Sequence, residues 1–186
     1  MLAETAVPAE GAALSTQRLL LRPLTPADAP DIALACSDAL IQRWLPLPSP
    51  YTEEVAMSFI QDLAPLQQAS GAGVVRAIEV AGRLAGCIDL KKTDWGAGTT
   101  EVGYWVAPWG RGAGLAGRAA RLLAEWALRD HGMERVELLA AVGNVASQRA
   151  ADSAGFTREG VLRKAGHIHA GRVDLVVYSL IRSDLG

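Results

Sequence analysis

A glycine-rich stretch, residues 109–117, lies between a strand-like segment and a long helical one, and it constrains the fold more than any other part of the chain. Thr99 to Val106 is predicted to form a β-strand, and Gly112 to Asp130 spaces its apolar side chains as a helix does. Glycines at a helix start let backbone N–H groups approach a ligand closely, and those groups favour a bound phosphate. The stretch therefore predicts a phosphate-binding loop, with a tight turn and close helix packing as the alternative.

The kind of phosphate ligand is a separate question. Gly112 to Gly117 matches the dinucleotide pattern G-x-G-x-x-G letter for letter. We reject a nicotinamide enzyme because Pro108 and Trp109 separate the strand from the first glycine. Glu137 has the distance expected of the acid that binds ribose, but it opens its strand instead of closing it. The sequence also lacks the Gly-Lys-Ser/Thr of a Walker loop.

Further strands and helices are predicted on both sides of the loop, with proline, glycine and capping residues at their ends. Strands are predicted at 18–22, 74–80, 84–90, 99–106, 136–142, 158–169 and 172–181, and helices begin near Thr25 and Thr52 and cover 112–130 and 145–154. One helix crosses between two strands, while other strands follow each other through short turns. We therefore expect one α/β (α+β) domain with a mixed sheet.

Composition narrows the classes of function. The chain has 186 residues, half of them apolar, and 18 Lys+Arg against 20 Asp+Glu give a net charge of −2. Nucleic acid is not expected as the main partner, because a phosphate-reading surface shows a basic excess. No apolar run reaches the roughly 18–20 residues of a membrane span, so no membrane partner is expected. Cys36 and Cys87 are expected to be buried free thiols, and with three His they give no zinc framework.

The N-terminal residues Met1 to Leu14 have neither the basic region nor the apolar core of a signal peptide. We expect residues 1–14 to form a flexible leader and residues 15–186 to form the single domain. Free thiols fit a reducing compartment, so a cytoplasmic location is expected.

Three motifs, in order along the chain, resemble the GCN5-related N-acetyltransferases (GNAT). Glu101-Val102-Gly103-Tyr104-Trp105-Val106 is similar to the central strand of that family. The loop resembles its pyrophosphate signature Q/R-x-x-G-x-G/A, with Gly112 and Gly114 in the glycine places and Trp109 where Gln or Arg is usual. Trp109 and the run Asn144-x-x-Ser147, followed by Ala154-Gly155-Phe156, resemble the branch of ribosomal-protein N-terminal (alanine/serine) acetyltransferases.

The resemblance implies a single-domain GNAT fold, with a mixed, mostly antiparallel central sheet flanked by helices. It implies acetyl-CoA as the acyl donor and no metal. The residues that would hold the pyrophosphate of coenzyme A form the loop, namely Trp109, Gly110, Arg111, Gly112, Ala113, Gly114, Leu115 and Ala116. Arg111 would add positive charge to the N–H groups, and a solvated arginine is the alternative.

The same resemblance implies direct attack of an amine on the thioester. The backbone N–H of Val106 would polarise the thioester carbonyl, where the central strand splays from its neighbour. Glu101 is the candidate general base. Many relatives protonate the leaving thiolate with a tyrosine from the short helix; since this helix has none, Ser147 is the candidate acid. Asn144 would bind the pantetheine amides; both Asn144 and Ser147 have helix capping as the alternative.

Trp44, Tyr51 and His167 are the candidate residues for binding the amine acceptor. The branch resemblance implies the α-amino group of a protein or peptide, and a small-molecule amine or another acyl group such as succinyl remain alternatives. A domain that binds acyl-CoA without catalysis, as a sensor, is the alternative from a different class. Homodimers occur in the family, so a homodimer is also an expectation.

Overall fold

The computed structural model of the protein describes residues 14–16 and 19–186. The leader predicted for residues 1–14 therefore lies outside the described residues, apart from Leu14, which begins the first strand. Within the described residues, eight strands form one sheet. They are β1 Leu14–Thr16, β2 Leu19–Arg22, β3 Val74–Val80, β4 Arg83–Asp94, β5 Thr99–Val106, β6 Arg135–Ala141, β7 Thr157–Ile168 and β8 Gly171–Ile181.

The sheet has the order β1-β2-β3-β4-β5-β6-β8-β7. All neighbouring strands run antiparallel except β5 and β6, which are parallel and are joined by the crossover helix. This arrangement confirms the predicted mixed, mostly antiparallel sheet.

The parallel pair at the centre of the sheet is short. Strands β5 and β6 pair only from Thr99 with Arg135 to Val102 with Leu138. Beyond that point β5 remains bonded to β4 as far as Val106, and β6 remains bonded to β8 as far as Ala141. Residues 103–106 and 139–141 therefore diverge; we call the gap between them the β5–β6 opening.

Helices cover both faces of the sheet. They are α1 Ala29–Cys36, α2 Ala39–Trp44, α3 Glu53–Ser58, α4 Ala64–Ala69, α5 Leu115–Asp130 and α6 Val145–Ser153. A π-helical turn, Phe59–Leu63, makes α3 and α4 continuous. No helix in the described part of the chain is long and apolar enough to span a membrane.

Each face of the sheet has its own core. Alternation of side chains along a strand sends neighbours to opposite faces. Val102 and Tyr104 pack on the face covered by α5 and α6, with Leu123 and Ala151. Trp105 packs on the opposite face, which is covered by the first four helices. We call these the α5–α6 face and the α1–α4 face.

Two elements differ from the sequence-based prediction. Helix α2 was not predicted, although the Asp38 side chain caps it by accepting from the N–H groups of Leu40 and Ile41, each at 3.1 Å. Strand β4 continues past Leu90, the end predicted for it, to Asp94, because Lys91 pairs with Glu101 and Asp94 pairs with Thr99 of β5. Polar residues mark turns only statistically, and pairing with a neighbour overrides that preference.

We predict that Gly86→Ala destabilises the protein while Gly160→Ala does not. Both glycines lie in strands with ordinary φ angles. A Cβ at Gly86 would overlap the carbonyl oxygen of Trp105 and lie 3.2 Å from the Cα of Val106, whereas a Cβ at Gly160 meets nothing within 4 Å. Overpacking of this kind costs about 1–3 kcal/mol, and an open site costs less than about 0.5 kcal/mol.

Urea unfolding followed by circular dichroism measures both changes in the free energy of unfolding. Equal midpoints for the two variants would contradict the close approach of β4 and β5 at Gly86.

Candidate active site

The glycine loop connects the end of β5 to the start of α5. Gly112 and Gly114 have φ angles of +81° and +66°, in the left-handed region that favours glycine. Helix α5 therefore begins at Leu115 and not at Gly112 as predicted, since a right-handed helix cannot continue through these two residues.

The loop presents a row of N–H groups to open space. Within the described residues, the backbone N–H groups of 112–116 have no hydrogen-bond partner, and the first intrahelical bond runs from Arg118 to the carbonyl of Gly114. A Cβ built on Gly112 or Gly114 meets nothing within 4 Å. Unpaired N–H groups at the positive end of a 16-residue helix form an anion site.

Trp109 and Gly110 hold the loop against the sheet. The indole Nε1 of Trp109 donates to the carbonyl of Leu84 at 2.8 Å, and the Arg83 guanidinium lies 4.3 Å from the ring centroid. A Cβ on Gly110 would lie 2.9 Å from the carbonyl oxygen of Ala85. The Trp109 side chain is therefore occupied by the protein, and its contribution to the predicted cofactor site is to fix the position of the N–H groups.

The third glycine of the pattern G-x-G-x-x-G serves helix packing. A Cβ on Gly117 would overlap the Ser153 hydroxyl and lie 2.9 Å from the carbonyl of Ala150 in α6. Close packing of α5 on α6 therefore explains this glycine without a dinucleotide.

Arg111 is paired across the loop with α2. Its guanidinium forms an ion pair with the carboxylate of Asp38, the residue that caps α2. The hydrogen bond from Arg111 holds the pKa of Asp38 below its usual range. This pair ties the α2 segment to the loop, and neither side chain is needed for the N–H groups to reach a phosphate.

The three residues predicted to bind the acceptor lie in three separate places in the structure. Trp44, at the end of α2, lies over the chain that follows β6, because a Cβ on Gly143 would be 3.1 Å from its ring. Tyr51 is buried in the core beneath α1 and α3. His167 is exposed on β7 opposite Arg172 in β8. Of the three residues, only Trp44 borders the β5–β6 opening.

The N–H of Val106 points into the β5–β6 opening. The next residue, Ala107, donates its N–H to the carbonyl of Ala85 on β4 at 2.9 Å. Consecutive N–H groups of an extended strand point to opposite sides, so that of Val106 is directed away from β4. This orientation is the one that polarisation of a thioester carbonyl requires.

Two hydroxyl groups lie within hydrogen-bond distance of each other beside the β5–β6 opening, on the α5–α6 face. Asn144 caps α6 by accepting from the N–H of Ser147 at 3.2 Å. The hydroxyl of Tyr104, from β5, lies 2.9 Å from the Ser147 hydroxyl. Burial raises the pKa of Tyr104, so this hydroxyl keeps its proton. Strand β5 thus supplies a tyrosine hydroxyl next to α6, a helix that contains no tyrosine of its own.

Four charged side chains of β4 and β5 lie together where Glu101 meets the end of β4. The carboxylate of Glu101 is bonded to Lys92 at 2.7 Å and to Lys91 at 3.4 Å. Asp89 faces Gly103 in the register, and burial raises the pKa of its carboxyl. Both oxygens of Glu101, the predicted base, are therefore engaged by lysine.

Sequence reasoning did not single out Tyr104, Asp89 or Asp38. Tyr104 was counted as part of the strand motif, although alternation from buried Val102 places it on the α5–α6 face. Asp89 is a single carboxylate in the otherwise apolar run 84–90, and that isolation was the available signal. The described residues contain no cluster of three metal-ligating side chains.

Comparison with known proteins identifies a family and several similar proteins. Residues 18–157 match the family model described as acetyltransferase (GNAT) domain. The "Putative ribosomal N-acetyltransferase YdaF" of Bacillus subtilis (strain 168) is 33% identical over 112 residues, which is 60% of this chain and 61% of that protein. The chain thus aligns with less than two thirds of the length of this relative.

Two solved structures share the fold. RimJ of Mycobacterium smegmatis, in complex with CoA-disulfide, superposes with a TM-score of 0.84 at 19% identity over 94% of this chain and 88% of that one. The microcin C7 self-immunity acetyltransferase MccE, in complex with acetyl-CoA and AMP, gives 0.81 at 23% identity over 89% and 93%. At these identities the two structures establish the fold alone.

We predict that Gly112→Val and Gly114→Val lower the affinity for coenzyme A, while Gly132→Val does not. All three glycines have positive φ and open surroundings, so each substitution costs about 1–2 kcal/mol of backbone strain. Only the first two stand among the unpaired N–H groups; Gly132 lies past the opposite end of α5.

Loss of a hydrogen bond to a charged group costs about 1.5–3 kcal/mol, a factor of about 10–100 in Kd. Isothermal titration with coenzyme A measures the three values of Kd. Parallel losses of affinity in all three variants would assign the effect to destabilisation and not to the loop.

Proposed function

The chain belongs to the acetyltransferase (GNAT) domain family, and we propose that it transfers an acetyl group from acetyl-CoA to the α-amino group of a protein or peptide. The match confirms the family and the fold that the sequence predicted. The observation that carries the proposal is the position of the loop, whose N–H groups end beside the β5–β6 opening. A ligand whose diphosphate lies on the loop can extend into that opening.

The donor side of the reaction rests on backbone groups. The N–H groups of 112–116 bind the diphosphate of coenzyme A, and Asn144 lies at the end of β6 where the pantetheine arm would pass. The N–H of Val106 stabilises the negative charge that develops on the thioester oxygen. One such donor contributes about 2.7–4 kcal/mol to transition-state stabilisation.

The leaving thiolate receives its proton from the hydroxyl pair of Tyr104 and Ser147. As the amine nitrogen bonds to the acyl carbon, the carbon–sulfur bond breaks and its electrons stay on sulfur. Tyr104 donates a proton to that sulfur and is reprotonated from solvent through Ser147, to which it is bonded at 2.9 Å. The raised pKa of Tyr104 keeps the donor protonated at the start of each turnover.

The acceptor approaches from the α1–α4 face, where Trp44 borders the opening. A peptide α-amino group is supported by the motif resemblance and by the name of the relative YdaF. The structure of MccE contains acetyl-CoA and AMP, which is a small molecule. Small-molecule amines are therefore also tested as acceptors.

Thiol release from acetyl-CoA, with a panel of peptides ending in Ala or Ser and a panel of polyamines and aminoglycosides, tests the proposed function. We expect release with a peptide acceptor and an added mass of one acetyl group on its N-terminus. If thiol is released only with small amines, the acceptor is a small molecule and not a peptide. If thiol is released only from succinyl-CoA, the transferred group is succinyl and not acetyl. Coenzyme A binding without turnover on any acceptor would favour a sensor.

We predict that Tyr104→Phe lowers kcat by about 10²-fold and leaves KM for acetyl-CoA within about twofold, because the variant removes only the proton donor. Tyr178→Phe is the matched control: it removes the hydroxyl of another buried tyrosine, which lies near Asp152 and Arg158 and away from Ser147. Steady-state thiol release measures both. An equal fall in kcat for the two variants would assign the loss to core packing.

A further inference from the structure

We infer that Asp89 is the catalytic residue that takes the proton from the acceptor ammonium, an assignment that rests on the proposed acetyl transfer. The sequence motifs do not include this carboxylate. It follows from three observations on the α1–α4 face, namely its register, its surroundings and the ion pairs of its neighbour.

The register places Asp89 at the mouth of the β5–β6 opening. Asp89 pairs with Gly103, and Gly103 is the first residue of β5 past the last pair with β6. A Cβ on Gly103 would lie 2.6 Å from the Oδ1 of Asp89 and also 2.6 Å from the Nζ of Lys91, so both side chains extend over this glycine. The glycine therefore leaves room for the carboxylate to lean over β5 toward the opening, where the N–H of Val106 holds the thioester.

The surroundings of Asp89 favour proton uptake. Cys87 and Lys91 share its face of β4, Glu101 faces it from β5, and Gln67 of α4, whose amide donates to the carbonyl of Leu90 at 2.6 Å, lies nearby. Burial is the largest influence and raises the pKa of Asp89; the charge of Glu101 adds to it, while Lys91 and Gln67 oppose it. A carboxylate with a raised pKa accepts a proton from an ammonium more readily than an exposed one.

The other carboxylate on this face is engaged. Glu101 forms ion pairs with Lys91 and Lys92, and neither of these two lysines forms an ion pair with Asp89. The positive charge on this face is thus directed mainly at Glu101. Glu101 acts in this arrangement by keeping Lys91 from pairing with Asp89.

The proton balance of the step is simple. The acceptor enters as R–NH₃⁺ and gives one proton to the carboxylate of Asp89, which becomes neutral. The freed amine attacks the thioester, its second proton is lost to solvent as the amide forms, and the thiolate gains the proton from Tyr104. Asp89 then returns its proton to solvent, so that one proton is released in each turnover.

The pH dependence of Asp89→Asn tests the assignment. With a peptide acceptor, kcat/KM of the native protein should rise through the pKa of Asp89 and then fall through that of the α-amine, because the step requires an ionised carboxylate and an acceptor that enters as an ammonium. In Asp89→Asn we expect kcat/KM to fall by about 10²-fold or more and the first rise to be lost, since the amide cannot accept the proton. Coenzyme A affinity should stay within about twofold, because the loop is unchanged.

Two further variants complete the test. Asp94→Asn makes the same change in the same strand, at an exposed residue that holds a turn through Gly96 and Ala97, and it should retain kcat/KM, the first rise and the later fall. Gly103→Ala adds the Cβ that would displace the carboxylate, so it should lower kcat by more than about tenfold while the affinity for coenzyme A is retained.

Stability separates a catalytic carboxylate from a structural one. A raised folded-state pKa means that the ionised carboxylate destabilises the fold above its unfolded-state pKa. Asp89→Asn should therefore unfold at the same or a higher temperature than the native protein at pH 8, and the difference should vanish near pH 4. A lower unfolding temperature at pH 8 would assign Asp89 a structural role.

The outcomes distinguish this inference from the proposed function. A native protein that binds coenzyme A but releases no thiol with any acceptor would refute the proposed function. An active native protein whose Asp89→Asn variant keeps the first rise would refute the assignment of Asp89 alone. Loss of that rise in Glu101→Gln, and not in Asp89→Asn, would return the role of base to Glu101.

Discussion

The structure depends on the interruption of pairing between two parallel strands at the centre of the sheet. Strands β5 and β6 pair only as far as Val102 and Leu138, so the edge of β5 beyond that point keeps its N–H groups for a ligand. A sheet normally satisfies such groups internally, since a buried unpaired N–H is costly. Here each strand keeps its outer partner, β4 or β8, and those partners hold the gap open.

In the proposed reaction, the two faces of the sheet serve the acyl donor and the amine acceptor separately. The α5–α6 face carries the free helix N-terminus and the hydroxyl pair of Tyr104 and Ser147. The α1–α4 face carries Asp89, the lysine-bound Glu101 and the Trp44 ring. The β5–β6 opening connects the two faces of the sheet. Gly103, which has no side chain, is its first residue on β5. Alternation along β5 alone accounts for this division.

The sequence predicted the features that depend on local chemistry. The loop glycines and the polar start of α6 indicated the anion site and its helix, because positive φ and capping are properties of single residues. Features that depend on pairing between strands were harder to predict from the sequence. The direction of the Val106 N–H follows from a bond between Ala107 and Ala85, and the role of Asp89 follows from its register with Gly103. Helix α2 was missed because Pro46, Pro48 and Pro50 dominated the interpretation of that region, although Asp38 marked its start.

A crystal structure with a ketone analogue of acetyl-CoA, whose acyl group cannot be transferred, would locate the bound donor. We expect diphosphate oxygens at about 2.7–3.2 Å from backbone nitrogens of residues 112–116, the pantetheine arm in the β5–β6 opening, and the ketone oxygen at the same distance from the nitrogen of Val106. A diphosphate bound away from the start of α5, or an acyl group outside the opening, would contradict this expectation.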